Sequence, residues 1–307
     1  MRLKEYTYTT SLDSTNTAAK ILRLVGERKR VLELGCSVGT QSRVLSQELG
    51  CEVTGVELNP VAAEKARKYC KAVLVGNLDQ LNIAETMPGA KFDVVLCADV
   101  LEHLIDPLKL LRSLKPLLPN NGSLVVSIPN IAHSGLIFEL ANGSFEYRER
   151  GLLDDTHIRF FTRQSLIAML SDAGYVIKHL ERALAWPTDT EFNVQSVKPE
   201  DRVFIDYINV HNPESFTYQF LVQATASDSD TKAIRKLNDE FAAANLQQFL
   251  ESRREIIGAS RKRVADHFEA FPRAYSELQW LRGNRIFRLA EAAGGLLRRA
   301  VKRNARD

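Results

Sequence analysis

Cysteine is scarce in this chain: four residues in 307, at Cys36, Cys51, Cys70 and Cys97. None stands in a CxxC pair, so neither a zinc site nor a disulfide framework is expected, only small reduced core residues. Long hydrophobic runs are missing as well. No stretch reaches the ~20 apolar residues that span a bilayer. The opening MRLKEYTYTTSLDS lacks the apolar centre of a signal peptide, so a cytoplasmic setting is expected. Sequence repeats and low-complexity tracts are absent. Net charge is small, +3, but unevenly placed. Residues 251–307 carry 14 Lys/Arg against 7 Asp/Glu, a local +7 that leaves residues 1–250 at −4. The larger part therefore lacks the basic face that nucleic acid requires.

What is present is ordinary for a globular protein, with 45% hydrophobic and 26% charged residues. The pattern along the chain is alternating. Apolar strands are read at Val31–Leu34, 51–58, 71–78, 92–100 and 122–130; helices are read after the first at 41–49, after the second from Pro60 through Tyr69, and after the fourth over 101–118, where Pro107 and Pro116 mark breaks. Strands apolar along their whole length argue for a parallel sheet covered on both faces. After a loop-rich stretch, 130–161, Thr162 caps a helix that Gly174 closes. Strands at 175–183 and 215–226 follow, with a short helix near 199–210 between them. They suggest an antiparallel edge. The expected architecture is α/β: a doubly wound, seven-stranded, mostly parallel sheet over residues 1–226, with a basic α-helical extension over 227–307.

The chemistry concentrates at VLELGCSVGT, Val31 to Thr40. A strand ends at an acid, Glu33, and breaks into a turn at Gly35 and Gly39 that opens a helix. Glycines let a ligand approach the backbone, and the free N–H groups of a helix start face it. A dinucleotide turn would read GxGxxG with an acid ~20 residues on. Here an acid comes two residues before the first glycine, and Glu57 ends the second strand. This arrangement resembles motifs I and II of class I S-adenosylmethionine-dependent methyltransferases, with Ser37 where many members carry a third glycine. The resemblance implies S-adenosylmethionine as cofactor. It assigns the methionine part to Glu33, Gly35, Cys36 and Gly39, the ribose to Glu57 with Leu58, and the adenine to Asn77 and Leu78, where the family usually has an acid. Asp99, Val100, Leu101, Glu102, His103 and Leu104 resemble the family's "EHL" segment, so Asp99, Val100 and Leu101 join the cofactor set. A similar segment in some ubiquinone-pathway methyltransferases is thought to bind a divalent cation. Asp99, Glu102 and His103 could ligate one, but such spacing is common without metal and none is expected.

The loop after the fifth strand should border the methyl group, because ligands in such sheets lie beyond the carboxyl ends of the strands. Its segments 127–133 and 151–162 resemble bacterial methyltransferases associated with polysaccharide assembly. That implies an O-methylated glycan or glycan precursor. A hydroxyl acceptor must lose a proton, which a histidine can take. His157 is the first candidate base, oriented by Asp155 or Asp154, and His133 the second. Phe145 and Tyr147 suit a sugar face. No Asp/Asn-Pro-Pro-Tyr segment follows the fourth strand, which argues against a nucleic-acid base as acceptor. The alternatives are another small acceptor, a phenol or amine, and a non-catalytic cofactor-binding scaffold. Helical residues 229–271 can mediate homo-oligomer or partner docking. The basic residues 280–303 can lie peripherally on the inner face of a membrane.

Overall fold

In a computed structural model the chain is described over residues 10–192 and 199–270. The strands are β1 (Arg30–Leu34), β2 (Glu52–Glu57), β3 (Ala72–Val75), β4 (Val94–Ala98), β5 (Ser123–Pro129), β6 (Tyr175–Leu184) and β7 (Thr217–Ala226). The helices are α1 (Thr17–Val25), α2 (Thr40–Gln47), α3 (Pro60–Ala66), the single turn α4 (Ile83–Thr86), α5 (Pro107–Leu114), α6 (Ser134–Ala141), α7 (Arg163–Asp172), α8 (Pro199–His211), α9 (Thr231–Ser252) and α10 (Arg254–Ala270).

The seven strands form one sheet in the order β3-β2-β1-β4-β5-β7-β6. β1 to β5 pair in parallel, and β7 runs antiparallel to both of its neighbours. The all-apolar strands explain this: β5 buries six of its seven residues, Ser123 to Ile128, as a strand with covered faces must. β1 is the centre from which the sheet is wound outward. The carboxyl ends of β1 and β4 stand side by side, Leu34 opposite Cys97. That is where a doubly wound sheet opens a ligand crevice. Tyr175, fully buried at the start of β6, donates its hydroxyl to the Leu111 carbonyl (2.9 Å) and so ties that edge to α5.

Helix ends follow local chemistry. Asn16 caps α1, Asn59 caps α3 ahead of Pro60, and Asp106 caps α5 ahead of Pro107. Thr162 and Ser165 form a reciprocal capping box on α7. The helical segment 101–118 breaks at Pro107 and Pro116 into two short 3-10 turns flanking α5. The stretch 130–161 contains α6, whose apolar run SGLIFELA lacks a clear helical period.

The described residues divide into two compact units, and the division does not fall at residue 226. The first unit holds the sheet and comprises residues 10–131, 145–185 and 217–245; the second comprises 132–144, 186–192, 199–216 and 246–270. Ile234, Asn238 and Ala242 explain why the start of α9 stays with the first unit. They form a buried stripe, and the Asn238 carboxamide accepts from Ile177 N–H (2.8 Å) while donating to Ser171 Oγ (2.9 Å) and the Tyr175 carbonyl (2.8 Å). In the second unit Asp206, on α8, is held by a two-pronged bond from Arg263 and by the Ser260 hydroxyl, both on α10. The described part of the segment 229–271 thus holds two helices, α9 and α10, broken at Arg253, and Ile234 and Ala242 of α9 are buried within the chain. Residues 280–303 lie outside the described residues. Among the described residues no helix is long and apolar enough to cross a membrane.

Candidate functional site

β1 delivers Glu33 to the crevice end of the sheet, and the next residues must turn sharply. Gly35 (φ 69°), Ser37 (φ 49°) and Gly39 (φ 83°) all adopt left-handed backbone. Ser37 therefore occupies a conformation that favours glycine. A Cβ on Gly35 would lie 3.0 Å from Val100 Cγ2, and one on Gly39 only 2.8 Å from the Ala66 backbone. The turn is locked from β2. Gly35 and Cys36 N–H both bond the Val56 carbonyl, and the Glu57 carboxylate accepts from Ser37 N–H and Asn59 N–H, each at 2.8 Å.

Beyond the turn lies a cleft of about 320 Å³, within the size range of ligand pockets. Its carboxyls are Glu33, Asp99, Glu102 and Asp154, set against the single guanidinium of Arg150 and the imidazoles of His103 and His157. Such a lining repels a pyrophosphate and suits a cation. Glu33 is buried, and burial pushes its carboxyl up to about 8, opposed by the Ser42 hydroxyl donating to it. Asp99, in left-handed backbone (φ 55°), accepts from Ser127 Oγ and Gln219 Nε2, both at 2.8 Å; burial raises it as well.

The acceptor side is assembled from the turn after β4 and the segment before α7. The Glu102 carbonyl accepts from Ile158 N–H (2.9 Å) and Arg159 N–H (3.0 Å), which pins His157 over that turn. Arg159 donates to the Ile105 carbonyl (2.6 Å). His157 Nδ1 faces the Leu152 carbonyl (3.1 Å). A carbonyl only accepts, so Nδ1 carries the proton and Nε2 keeps its lone pair. His103 is arranged alike, Nδ1 facing the carbonyl and hydroxyl oxygens of Thr156, whose hydroxyl donates to Asp154 (2.6 Å). Burial, then the neighbouring His157, lowers the His103 pKa. The two rings meet edge to face at 4.7 Å.

Glu102 is the residue that sequence reasoning left undecided. It is 1% exposed, neither carboxyl oxygen has a hydrogen-bond partner, and Oε1 lies 3.9 Å from His157 Nε2. Burial raises its pKa well above the carboxylate range. Glu102, His103 and His157 bring one donor atom each within 4.8 Å of one another. The orphaned carboxyl of Glu102 and two imidazoles, each with Nδ1 turned to a carbonyl, form a donor set that fits a divalent cation. His157, remote in sequence, takes the place expected for Asp99.

Of the residues expected to bind cofactor, Glu33, Gly35, Cys36 and Asp99 line the cleft together. Gly39 instead packs α2 on α3, and Glu57 acts on the turn through Ser37. Leu58, half-buried, and Asn77, whose carboxamide accepts from Asp79 N–H, are outside the cleft lining, as is Leu78, which packs against the core. The side chains of Val100 and Leu101 are buried, 6% and 0% exposed, and neither residue is in the cleft lining. His157 lines the cleft; Asp155 is exposed and does not. His133 belongs to the second unit, where its Nδ1 accepts from Gly135 N–H (3.2 Å) and caps α6. That lone pair is engaged in capping, so the second candidate base is replaced by a structural histidine. Gln219 and Thr156 were missed: one comes from the distant β7 and the other acts only through its neighbours, so no local pattern marks them.

A family model described as a methyltransferase domain matches residues 11–180, more than half of the chain. Proteins named ubiquinone biosynthesis O-methyltransferase are similar in sequence. One from Histophilus somni (strain 2336) is 35% identical over 109 residues, covering 33% of this chain and 45% of its own length. One from Pseudomonas aeruginosa (strain LESB58) is 32% identical, covering 50% and 66%, and one from Xanthomonas euvesicatoria pv. vesicatoria (strain 85-10) is 31% identical, covering 58% and 79%. This chain thus spans less than two thirds of the first two relatives. Among solved structures, a SAM-dependent methyltransferase from Archaeoglobus fulgidus aligns with a TM-score of 0.49 at 21% identity, over 68% of this chain and 92% of that one. With an acid-first glycine turn and a carboxyl-lined cleft on the page, the family match over residues 11–180 shows that the chain belongs to the methyltransferase domain family, with the sheet of the class I S-adenosylmethionine-dependent members.

Proposed function

We propose that this enzyme methylates a hydroxyl oxygen of a small-molecule or glycan acceptor, with His157 Nε2 as the general base. The observation that carries the reading is the place of His157, whose Nδ1 faces the Leu152 carbonyl while its ring lines the same cleft as Glu33 and Asp99. S-adenosylmethionine supplies an electrophilic methyl on a sulfonium. Glu33 and Asp99 offer carboxylates to its cationic methionine part. The remaining work is to hold the acceptor oxygen in line and take its proton.

Two acceptor classes have support. The names of the relatives support an oxygen acceptor and make a quinone precursor the first to test. The loop segments 127–133 and 151–162 support a glycan, as does the exposed Phe145–Tyr147 pair, with rings 5.4 Å apart. S-adenosylhomocysteine formation should be measured with both classes of acceptor. His157→Ala is expected to lower kcat by at least ~100-fold while leaving cofactor affinity within a few-fold. An unchanged kcat would remove His157 from the role.

The Glu102–His103–His157 donor set favours a second reading, in which a cation bound there would polarise the acceptor hydroxyl as a Lewis acid. Dialysis against EDTA separates the two. Undiminished turnover leaves deprotonation to His157, whereas a loss restored by Mg²⁺, Mn²⁺ or Zn²⁺ assigns it to the cation.

A further inference from the structure

Two of the four thiols stand together against the cofactor turn, and methyl transfer uses neither. Cys36 lies within the turn, and Cys70 follows α3 immediately ahead of β3. Their sulfurs flank Gly55 of β2. A Cβ built on Gly55 would lie 2.7 Å from Cys36 Sγ and 3.5 Å from Cys70 Sγ. The absent side chain makes the space in which the sulfurs meet, and the two thiols interact directly. Their surroundings differ. Cys36 is 3% exposed, whereas Cys70 is half-buried and open to a small reagent. Contact with the Cys36 thiol, and then the Ser42 hydroxyl, favours the Cys70 thiolate. Cys36 is pushed in the opposite direction by the same contact and by burial. One attacking and one resolving thiol is the arrangement that redox-sensing pairs require.

We propose that Cys36 and Cys70 are a peroxide-sensitive modification site whose oxidation to a disulfide weakens cofactor binding. In the first step the Cys70 thiolate attacks one peroxide oxygen. The O–O bond breaks, hydroxide leaves and takes up the proton Cys70 had released, and Cys70 becomes a sulfenic acid. In the second step the Cys36 sulfur attacks the Cys70 sulfur. The S–S bond forms, and the sulfenic oxygen departs as water with the Cys36 proton. Two thiols are oxidised and one hydrogen peroxide is reduced to two waters.

The disulfide fixes its sulfurs ~2.05 Å apart with a dihedral near ±90°. In the proposed switch, closing the bond draws Cys36 toward Cys70 and displaces the segment from Gly35 to Ser37, whose N–H groups are held by the Val56 carbonyl and the Glu57 carboxylate. Gly35, Cys36 and Ser37 all line the cleft, so the displacement reaches the cofactor directly.

The test treats the full chain with hydrogen peroxide, blocks free thiols and maps linked peptides by mass spectrometry. S-adenosylhomocysteine affinity is measured by calorimetry before and after. The expected result is a Cys36–Cys70 linkage, an affinity at least ~10-fold weaker, and recovery with dithiothreitol. Cys70→Ser is expected to bind like the reduced wild type and to be indifferent to peroxide, while Cys51→Ser should respond as the wild type does. Failure to find the linkage in folded, peroxide-treated wild type overturns the proposal. So does an equal affinity loss in Cys70→Ser, or a linkage that leaves affinity unchanged.

Discussion

Glu33 is the residue whose chemistry is most dependent on its ligand. Burial pushes its carboxyl up to about 8, and in the proposed role it meets the ammonium of the methionine part as a carboxylate. Below that value, binding must expel a proton. The affinity for S-adenosylhomocysteine is therefore expected to rise between pH 6 and 8, by up to tenfold per unit. Calorimetry at pH 7 in buffers of different ionisation enthalpy should register proton release; a flat profile with no release would contradict this role. In the unliganded protein the sign reverses. A carboxyl whose folded value lies above its unfolded value, near 4.5, loses stability as pH climbs from there through about 8. Glu33→Gln removes that loss. It should unfold at higher urea than wild type at pH 8, by on the order of a few kcal/mol, while binding cofactor far more weakly. Of this residue the sequence shows the position, an acid two places before a glycine. Its burial and the Ser42 hydroxyl depend on α2 folding back over β1, which no local pattern records.

At the scale of elements, the turn and the edge of the sheet carry the sharpest tests. Gly39 starts α2 in left-handed backbone with the Ala66 backbone 2.8 Å from where a Cβ would stand. Gly39→Ala is expected to cost roughly 2–4 kcal/mol in chemical denaturation, combining backbone strain with a clash against α3. Asn238→Leu should cost roughly 2–4 kcal/mol, because it leaves Ile177 N–H, Ser171 Oγ and the Tyr175 carbonyl without their partner in a buried place. A change below 0.5 kcal/mol in either variant would contradict the packing described. The two sites differ in legibility. Gly39 is visible because strand, glycine turn and helix come in one run. Asn238 is invisible because the buried stripe of α9 places a polar residue where apolar periodicity looks for leucine, and Leu237 beside it is exposed.

For the whole molecule, the mostly parallel sheet and its antiparallel end were legible because each strand is apolar along its length and the last two strands lack a long crossover helix. The partition into two units was not. It rests on α6, α8 and α10 coming together from three separate stretches, one of them inside the segment expected to be loop. The methyl donor was legible for the same reason as the turn. The proposed acceptor side was only partly so: His157 is a sequence candidate, but its pairing with Glu102 and His103 is created by two backbone N–H groups, of Ile158 and Arg159, donating hydrogen bonds to the Glu102 carbonyl. The account as a whole claims that this fold brings a cationic methyl donor to a hydroxyl beside His157. The most direct measurement is S-adenosylhomocysteine production from S-adenosylmethionine with hydroxyl acceptors of the quinone-precursor and glycan classes, run beside His157→Ala. The account predicts turnover on at least one acceptor, a methyl ether as product, and a loss of at least ~100-fold in the variant. Tight cofactor binding with no turnover on either class, or equal rates in the two proteins, would contradict it.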